Sequence, residues 1–212
     1  TFMRDWFFMP AQAPEHLLPE DDFPAIAAAG GCASRVVNGG PAYEMEAIAD
    51  VFFMAIVSAR RQVLAVTPYF VPHRDIIEAM RASALRGVDV KLVVPQHNNH
   101  VSAGFASRAL YEELLVAGVR IFERRPPFMH AKALLVDDAF AFIGTSNLDV
   151  RSFRLDYETN LAVFDEVFVE RMKRIVLDDI GQSDEIVLSS WTRRPAGQKV
   201  LENLYSLVVP VL

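Results

Sequence analysis

The residues best suited to chemistry lie in one stretch, Met129–Glu158, which reads MHAKALLVDDAFAFIGTSNLDVRSFRLDYE. Within it His130, Lys132, Asp137, Gly144, Thr145 and Asn147 make the pattern H-x-K-x4-D-x6-G-T-x-N. The spacing predicts a strand over Met129–Val136, a turn at Asp137-Asp138 and a returning strand over Ala139–Ile143. On a strand, positions two apart share a face, so His130 and Lys132 point the same way. The turn Thr145–Asn147 then comes back beside the start of the hairpin. An imidazole, an ammonium, a hydroxyl and a carboxamide converge on one spot, with no carboxylate expected at its front. Such a set suits a phosphate diester. It offers donors for the anionic oxygens and an imidazole able to attack phosphorus or protonate a leaving oxygen.

Taken singly, each residue has a plainer role. His130 would be a packed core histidine, Lys132 a surface lysine, and Asp137, Gly144 and Asn147 turn punctuation. The joint spacing overturns those readings, because five such positions match by chance in a chain this long with a probability on the order of 10⁻⁵. Asp137, at the turn, is expected to hold the hairpin by accepting backbone N–H bonds.

The elements that must position these groups can be traced along the chain. Residues 1–32 read as a connecting segment rich in aromatics and proline, and residues 33–212 as one catalytic half-domain. Ser34–Val37 is a short strand closed by Asn38-Gly39-Gly40-Pro41. Glu44–Ala59 is a helix with Met45, Ile48, Phe52, Ala55 and Ile56 on one face. Gln62–Thr67 is a buried strand stopped by Pro68. Arg74–Arg86 is a helix ended by Gly87, Asp89–Val94 a strand, and Gln96–Ser102 a polar loop. Ala106–Ala117 is a helix and Arg120–Glu123 a strand. After the hairpin come a strand at Glu158–Val163, a helix at Val167–Ile180, a strand at Ser183–Ser190 and a short helix at Gln198–Leu207. Alternating strands and helices predict an α/β fold with a mixed, largely parallel sheet.

Composition narrows the function. Half the residues are apolar, and 212 residues suffice for a substantial core. The single cysteine, Cys32, excludes an internal disulfide. A net charge of −6 argues against nonspecific nucleic-acid binding, so no nucleic-acid partner is expected. No apolar run approaches the roughly 20 residues a membrane span needs. No signal peptide is visible, and the chain is expected to be soluble.

The His130–Asn147 pattern resembles the HKD signature of the phospholipase D superfamily, with Thr145 where serine is usual. The resemblance extends to Thr67–Pro72 (TPYFVP), Ala84–Val90 (ALRGVDV), Ala106-Ser107-Arg108, Ala117-Gly118-Val119 and the run Asn147–Leu155 (NLDVRSFRL). Those segments are similar to bacterial cardiolipin synthases, and specifically to their second, C-terminal half. The resemblance implies a phospholipase D-like α-β-α sandwich. It also implies phosphatidyl transfer from phosphatidylglycerol or a related donor, through a phosphohistidine intermediate.

In that reading His130, Lys132, Asp137 and Glu158 are catalytic-motif residues, and Lys132, Thr145 and Asn147 hold the phosphate without a metal or other cofactor. Glu158, eleven positions after Asn147, is expected to bond a ring nitrogen of His130. Tyr69, Phe70, His97 and His100 are candidates for the substrate pocket. His97 and His100 have no nearby cysteine or carboxylate to complete a zinc set. The resemblance further implies a missing first half with its own HKD motif, since no second H-x-K occurs here. It implies association with the cytoplasmic side of a bacterial inner membrane. A surface evolved to face the missing half should be open and apolar around His130. The alternative is a single-motif phosphodiesterase or nuclease that pairs two copies into one site.

Overall fold

The computed structural model describes residues 27, 29–41 and 46–208. The chain divides into two units, Thr1–Cys32 and Ala33–Leu212. Only the second is treated below; the expected connecting segment lies almost wholly outside the described residues.

The first part of this unit alternates strands and helices. β1 (Ala33–Gly39) leads to α1 (Ala47–Ser58), β2 (Gln62–Val66), the short β3 (Phe70–Val71), α2 (Arg74–Leu85) and β4 (Asp89–Pro95). Helices α3 (Val101–Ala109) and α4 (Tyr111–Val116) then precede β5 (Arg120–Arg124). A hairpin of β6 (Ala133–Val136) and β7 (Phe140–Gly144) follows, then β8 (Leu148–Asp149), α5 (Val150–Arg154) and β9 (Glu158–Phe164). The unit closes with α6 (Glu166–Gly181), β10 (Ser183–Ile186), α7 (Leu188–Trp191) and α8 (Ala196–Val208).

Eight strands form one sheet in the order β1-β9-β7-β6-β2-β4-β5-β10, and β3 pairs with β8 apart from it. The α/β class holds, but the sheet is mixed and mostly antiparallel. Within it only β2–β4 and β4–β5 run parallel. The reason lies in the connections. Helical crossovers join β2, β4 and β5, whereas a tight turn joins β6 to β7 and forces them antiparallel.

Alternate residues of the central strands feed two cores. Val63, Ala65, Val90, Leu92 and Leu134 face α1, α2 and α4, packing on Phe52, Ile56, Ile77, Met80 and Leu114. Leu64, Val66, Val93 and Leu135 face the other way, against Val169 and Val176 of α6. Both faces are covered, as an α-β-α sandwich requires.

Three boundaries differ from the sequence reading. The helix expected at Ala106–Ala117 begins at Val101 and breaks at Leu110 into α3 and α4. Its first part is drawn onto α8, where Phe105 stacks on Tyr205 with ring centroids 5.2 Å apart. The strand expected to Ser190 stops at Ile186 and gives way to α7. The third difference matters most for function. β6 begins only at Ala133, so His130 and Lys132 lie in the irregular approach to it rather than on the strand.

Candidate active site

β2 and β7 flank β6 in the centre of the sheet. The segment before β6 therefore emerges from the best-supported part of the fold. There Lys132 Nζ stands 3.1 Å from His130 Nδ1 and 3.3 Å from Nε2, and donates to the His130 carbonyl at 3.1 Å. Of the expected convergence the pair His130–Lys132 is in contact, and the lysine's length brings it about rather than strand alternation. His130 is exposed and Lys132 half-buried. The imidazole lies between two aromatic rings, Tyr69 at 6.1 Å and Phe128 at 5.8 Å between centroids. Burial and the adjacent ammonium both push the His130 pKa below the ordinary value, which favours the neutral ring while no anion is bound beside it. Burial also lowers Lys132, against the opposing pull of Glu158 and Asp149.

The returning strand supplies the rear wall. Thr145 donates its hydroxyl to the Glu158 carboxylate in a very short hydrogen bond, and accepts from the Thr159 N–H at 2.9 Å. Glu158 is buried at 6% exposure. The expected bond between Glu158 and a His130 ring nitrogen is not made. Thr145 holds the carboxylate instead, and the neighbour of the imidazole is Lys132.

Gly144 is more than turn punctuation. It ends β7 opposite Asn160, and a Cβ there would lie 2.6 Å from the Asn160 Cα. Only glycine lets β7 approach β9 closely enough to bring Thr145 onto Glu158. Buried Ser146 and Asn160 lock the same approach, with Asn160 Nδ2 donating to Ser146 Oγ at 2.7 Å.

Asn147 sits at the mouth of a cavity of about 440 Å³, together with Tyr69, His100, Ser102, Asp149 and Asp156. Its backbone N–H and its Nδ2 both donate to Ser152 Oγ, at 3.0 and 3.2 Å. Leu148 N–H donates to Thr67 Oγ1 at 3.1 Å. Thr67 and Ser152, both fully buried, therefore fix the loop that carries Asn147. Neither was picked out from the sequence. For Ser152 a local signal existed: it stands three residues after Asp149, which caps α5 by accepting the Ser152 N–H at 2.7 Å. For Thr67 there was none, because its partner lies 81 residues away.

Other expected residues divide clearly. Tyr69 and His100 line the cavity, their rings 5.5 Å apart. Phe70 does not; it is 1% exposed and part of the core. The expectation that it lines the pocket fails because pairing of β3 with β8 turns it inward. His97 is exposed and is not among the residues that line the cavity.

Asp137 lies at the far end of β6 from Lys132, where its carboxylate accepts backbone N–H bonds from Arg60, Arg61 and Gln62 at 2.7 to 2.8 Å. Its anchor is thus the start of β2, not its own hairpin turn, and it is remote from the reactive pair. A carboxylate does line the cavity that Asn147 borders, because Asp149 is part of its wall. Among the described residues, no group of three or more His, Cys, Asp or Glu side chains is placed to hold a metal ion.

Residues 52–180 match the family model described as "Cardiolipin synthase, PLD-like domain". The whole chain is 36% identical to cardiolipin synthase 2 of Bacillus anthracis, of which it covers 41%. Over 84% of its length it is 38% identical to cardiolipin synthase A of Pectobacterium carotovorum, covering 37% of that protein. The chain thus spans about two fifths of the curated relatives it matches. In fold it is similar to Nuc of Salmonella typhimurium, with a TM-score of 0.63 and 20% identity over 74% of this chain and 99% of Nuc. It is also similar to phosphatidylserine synthase of Haemophilus influenzae, with a TM-score of 0.67 and 16% identity over 88% of this chain and 49% of that protein. By that family match and by its relatives, the chain belongs to the cardiolipin synthase, phospholipase D-like domain family.

Proposed function

We propose that this chain is the second catalytic half of an enzyme that transfers phosphatidyl groups to form cardiolipin, with phosphatidylglycerol or a related lipid as donor. The observation that carries the reading is the reactive pair: one exposed imidazole with an ammonium 3.1 Å from its ring. Such a pair can serve one end of an in-line displacement at phosphorus. The other end needs a second imidazole about 180° away, which the proposed first half supplies. In the first step that histidine attacks phosphorus. A P–N bond forms, the P–O bond to the head group breaks, and His130, protonated once the anionic phosphodiester binds beside it, gives its proton as general acid to the departing alkoxide. In the second step the acceptor hydroxyl forms the new P–O bond, the P–N bond breaks, and His130 takes the hydroxyl proton back. Lys132 and Asn147 are the donors for the equatorial phosphate oxygens, while Thr145, expected from the sequence to join them, spends its hydroxyl proton on Glu158 and braces the site from behind.

Glu158 acts on this site through Thr145 and through its attraction for the Lys132 ammonium. No described helix is long and apolar enough to cross a membrane. The lipid substrate is what brings the protein to the membrane surface, in this reading on the cytoplasmic face of a bacterial inner membrane. The net charge of −6 disfavours the nuclease alternative.

The test is product analysis. The chain joined to its first half, given phosphatidylglycerol, should yield cardiolipin and glycerol and leave DNA intact. The chain alone, at concentrations where ultracentrifugation shows a monomer, should turn over lipid negligibly. Robust turnover by that monomer would place a second nucleophile within this sequence and overturn the two-half mechanism.

A further inference from the structure

The cavity lined by Asn147 and Tyr69 holds a group that phosphate binding does not explain. Phosphate oxygens call for cations and N–H or O–H donors. The wall of this 440 Å³ cavity presents instead the carboxylate of Asp149. Tyr69 of the same wall stands 6.1 Å from the His130 ring between centroids, so the cavity adjoins the reactive pair, and the Asp149 charge favours the Lys132 ammonium. Among the described residues the carboxylate takes its hydrogen bonds from Ser152 alone, which leaves acceptor capacity in hand. Burial, opposed by the Ser152 bonds and reinforced by Asp156 and Glu158, raises the Asp149 pKa, the mark of a carboxylate short of donors. Arg151, the cationic residue of the wall, is ion-paired with Asp156 at 3.3 Å. A second anion would find this wall repulsive. A neutral molecule rich in hydroxyl groups would find acceptors at Asp149 and mixed donor–acceptor groups at Tyr69, His100 and Ser102.

We infer that Asp149 is a specificity-determining residue of the acceptor subsite, where it accepts a hydrogen bond from a hydroxyl of a neutral polyol head group. The inference rests on the phosphatidyl-transfer reading and assigns a separate task within it. One hydroxyl of the acceptor attacks phosphorus and gives its proton to His130. A second hydroxyl of the same molecule donates to Asp149. A monohydric alcohol can do the first and not the second, and so leaves a half-buried carboxylate without its donor. A site built to bond a substrate hydroxyl discriminates strongly against an analogue that lacks it, because its own polar group is then stranded.

The experiment offers the two-half enzyme isotopically labelled glycerol and labelled ethanol together as acceptors, with unlabelled phosphatidylglycerol as donor, and reads the ratio of label in phosphatidylglycerol to label in phosphatidylethanol. Asp149→Ala should lower the glycerol-to-ethanol ratio at least about tenfold, the worth of one hydrogen bond to a charged group. The loss should appear as a raised KM for glycerol rather than a lowered kcat. Asp149→Asn, whose amide oxygen still accepts, should recover part of the preference, and it carries the test alone if Asp149→Ala does not fold. An unchanged ratio, or equal losses for both alcohols, overturns the inference. A wild-type enzyme that transfers to neither alcohol overturns the phosphatidyl-transfer reading, and this inference with it.

Discussion

At one end of β6 the Asp137 carboxylate accepts three backbone N–H bonds, and the turn it opens closes with Ala139 N–H donating to the Val136 carbonyl at 3.1 Å. Asp137 and Asp138 both take positive φ, 53° and 60°, which aspartate tolerates better than most side chains. At the other end His130 and Lys132 face each other with few partners, exposed or half-buried, their proton affinities both reduced. One motif thus contributes to two regions built on opposite terms. The Asp137 end is saturated with hydrogen bonds and welds β6 to the start of β2. The His130 end is left unsaturated, as the proposed binding of a phosphate there requires. Membership of a catalytic motif does not make a residue catalytic; its unfilled bonding capacity does.

The largest effect that separates the two ends is on turnover. In the two-half enzyme His130→Ala should lose at least about a thousandfold of activity, because a proton donor disappears outright. Its unfolding free energy should stay within about 0.5 kcal/mol of wild type, as expected of an exposed side chain. Near-normal cardiolipin formation by that variant would erase the contrast.

Asp137→Ala should do the reverse. Three N–H groups lose a charged acceptor, so urea unfolding should show a loss of about 3 kcal/mol. Activity per folded molecule should suffer far less than in His130→Ala. Burial opposes the charged form of Asp137, but the Gln62, Arg60 and Arg61 N–H groups outweigh it and hold its pKa below the usual carboxylate value. Its contribution is therefore present above about pH 4 and lost as pH falls through the lower folded midpoint. Asp137→Asn should lack that part of the acid-side loss.

Gly144→Ala tests how the two ends are coupled through the sheet. The added methyl meets Asn160 and the Thr159 carbonyl, so β7 and β9 must part. A loss of about 2 kcal/mol is expected from overpacking. Activity should fall as well, because Thr145 no longer reaches Glu158. Full activity in a destabilised Gly144→Ala protein would detach the Thr145–Glu158 bond from catalysis.

The smallest effect is spectroscopic. By NMR titration the His130 ring should protonate below the ordinary histidine value of about 6.5, and so remain neutral at pH 7. Lys132→Met removes the lesser of the two causes, so the midpoint should rise while burial still holds it down. A midpoint that does not move in that variant would mean that the ammonium does not act on the ring.

Much of this site was legible because its signals are local. The motif spacing named His130, Lys132, Thr145 and Asn147, and the turn at Asp137 follows from two aspartates between apolar runs. Helix ends at Gly87 and Gly118 follow from the left-handed backbone those positions adopt, φ 90° and 95°. Residues whose partners lie far along the chain were not legible. Thr67 and Asn160 carry no signature of their own; each acquires a role only when β3 meets β8 or β9 meets β7. The pocket assignment of Phe70 failed for the same reason. An aromatic at a strand end looks alike whether it points into a cavity or into the core.

The sequence by itself therefore determined the α/β class, the turn between β6 and β7 and the spacing that sets His130 beside Lys132. These depend on residue types at short separations, where backbone geometry leaves few choices. Tertiary structure alone decided the mostly antiparallel sheet, the tie from Asp137 to β2, the capture of Glu158 by Thr145 rather than His130, and the presence of Asp149 in the cavity. Each of those outcomes depends on which strands become neighbours. That is settled by burying two apolar faces at once, a condition no short stretch of the chain can express.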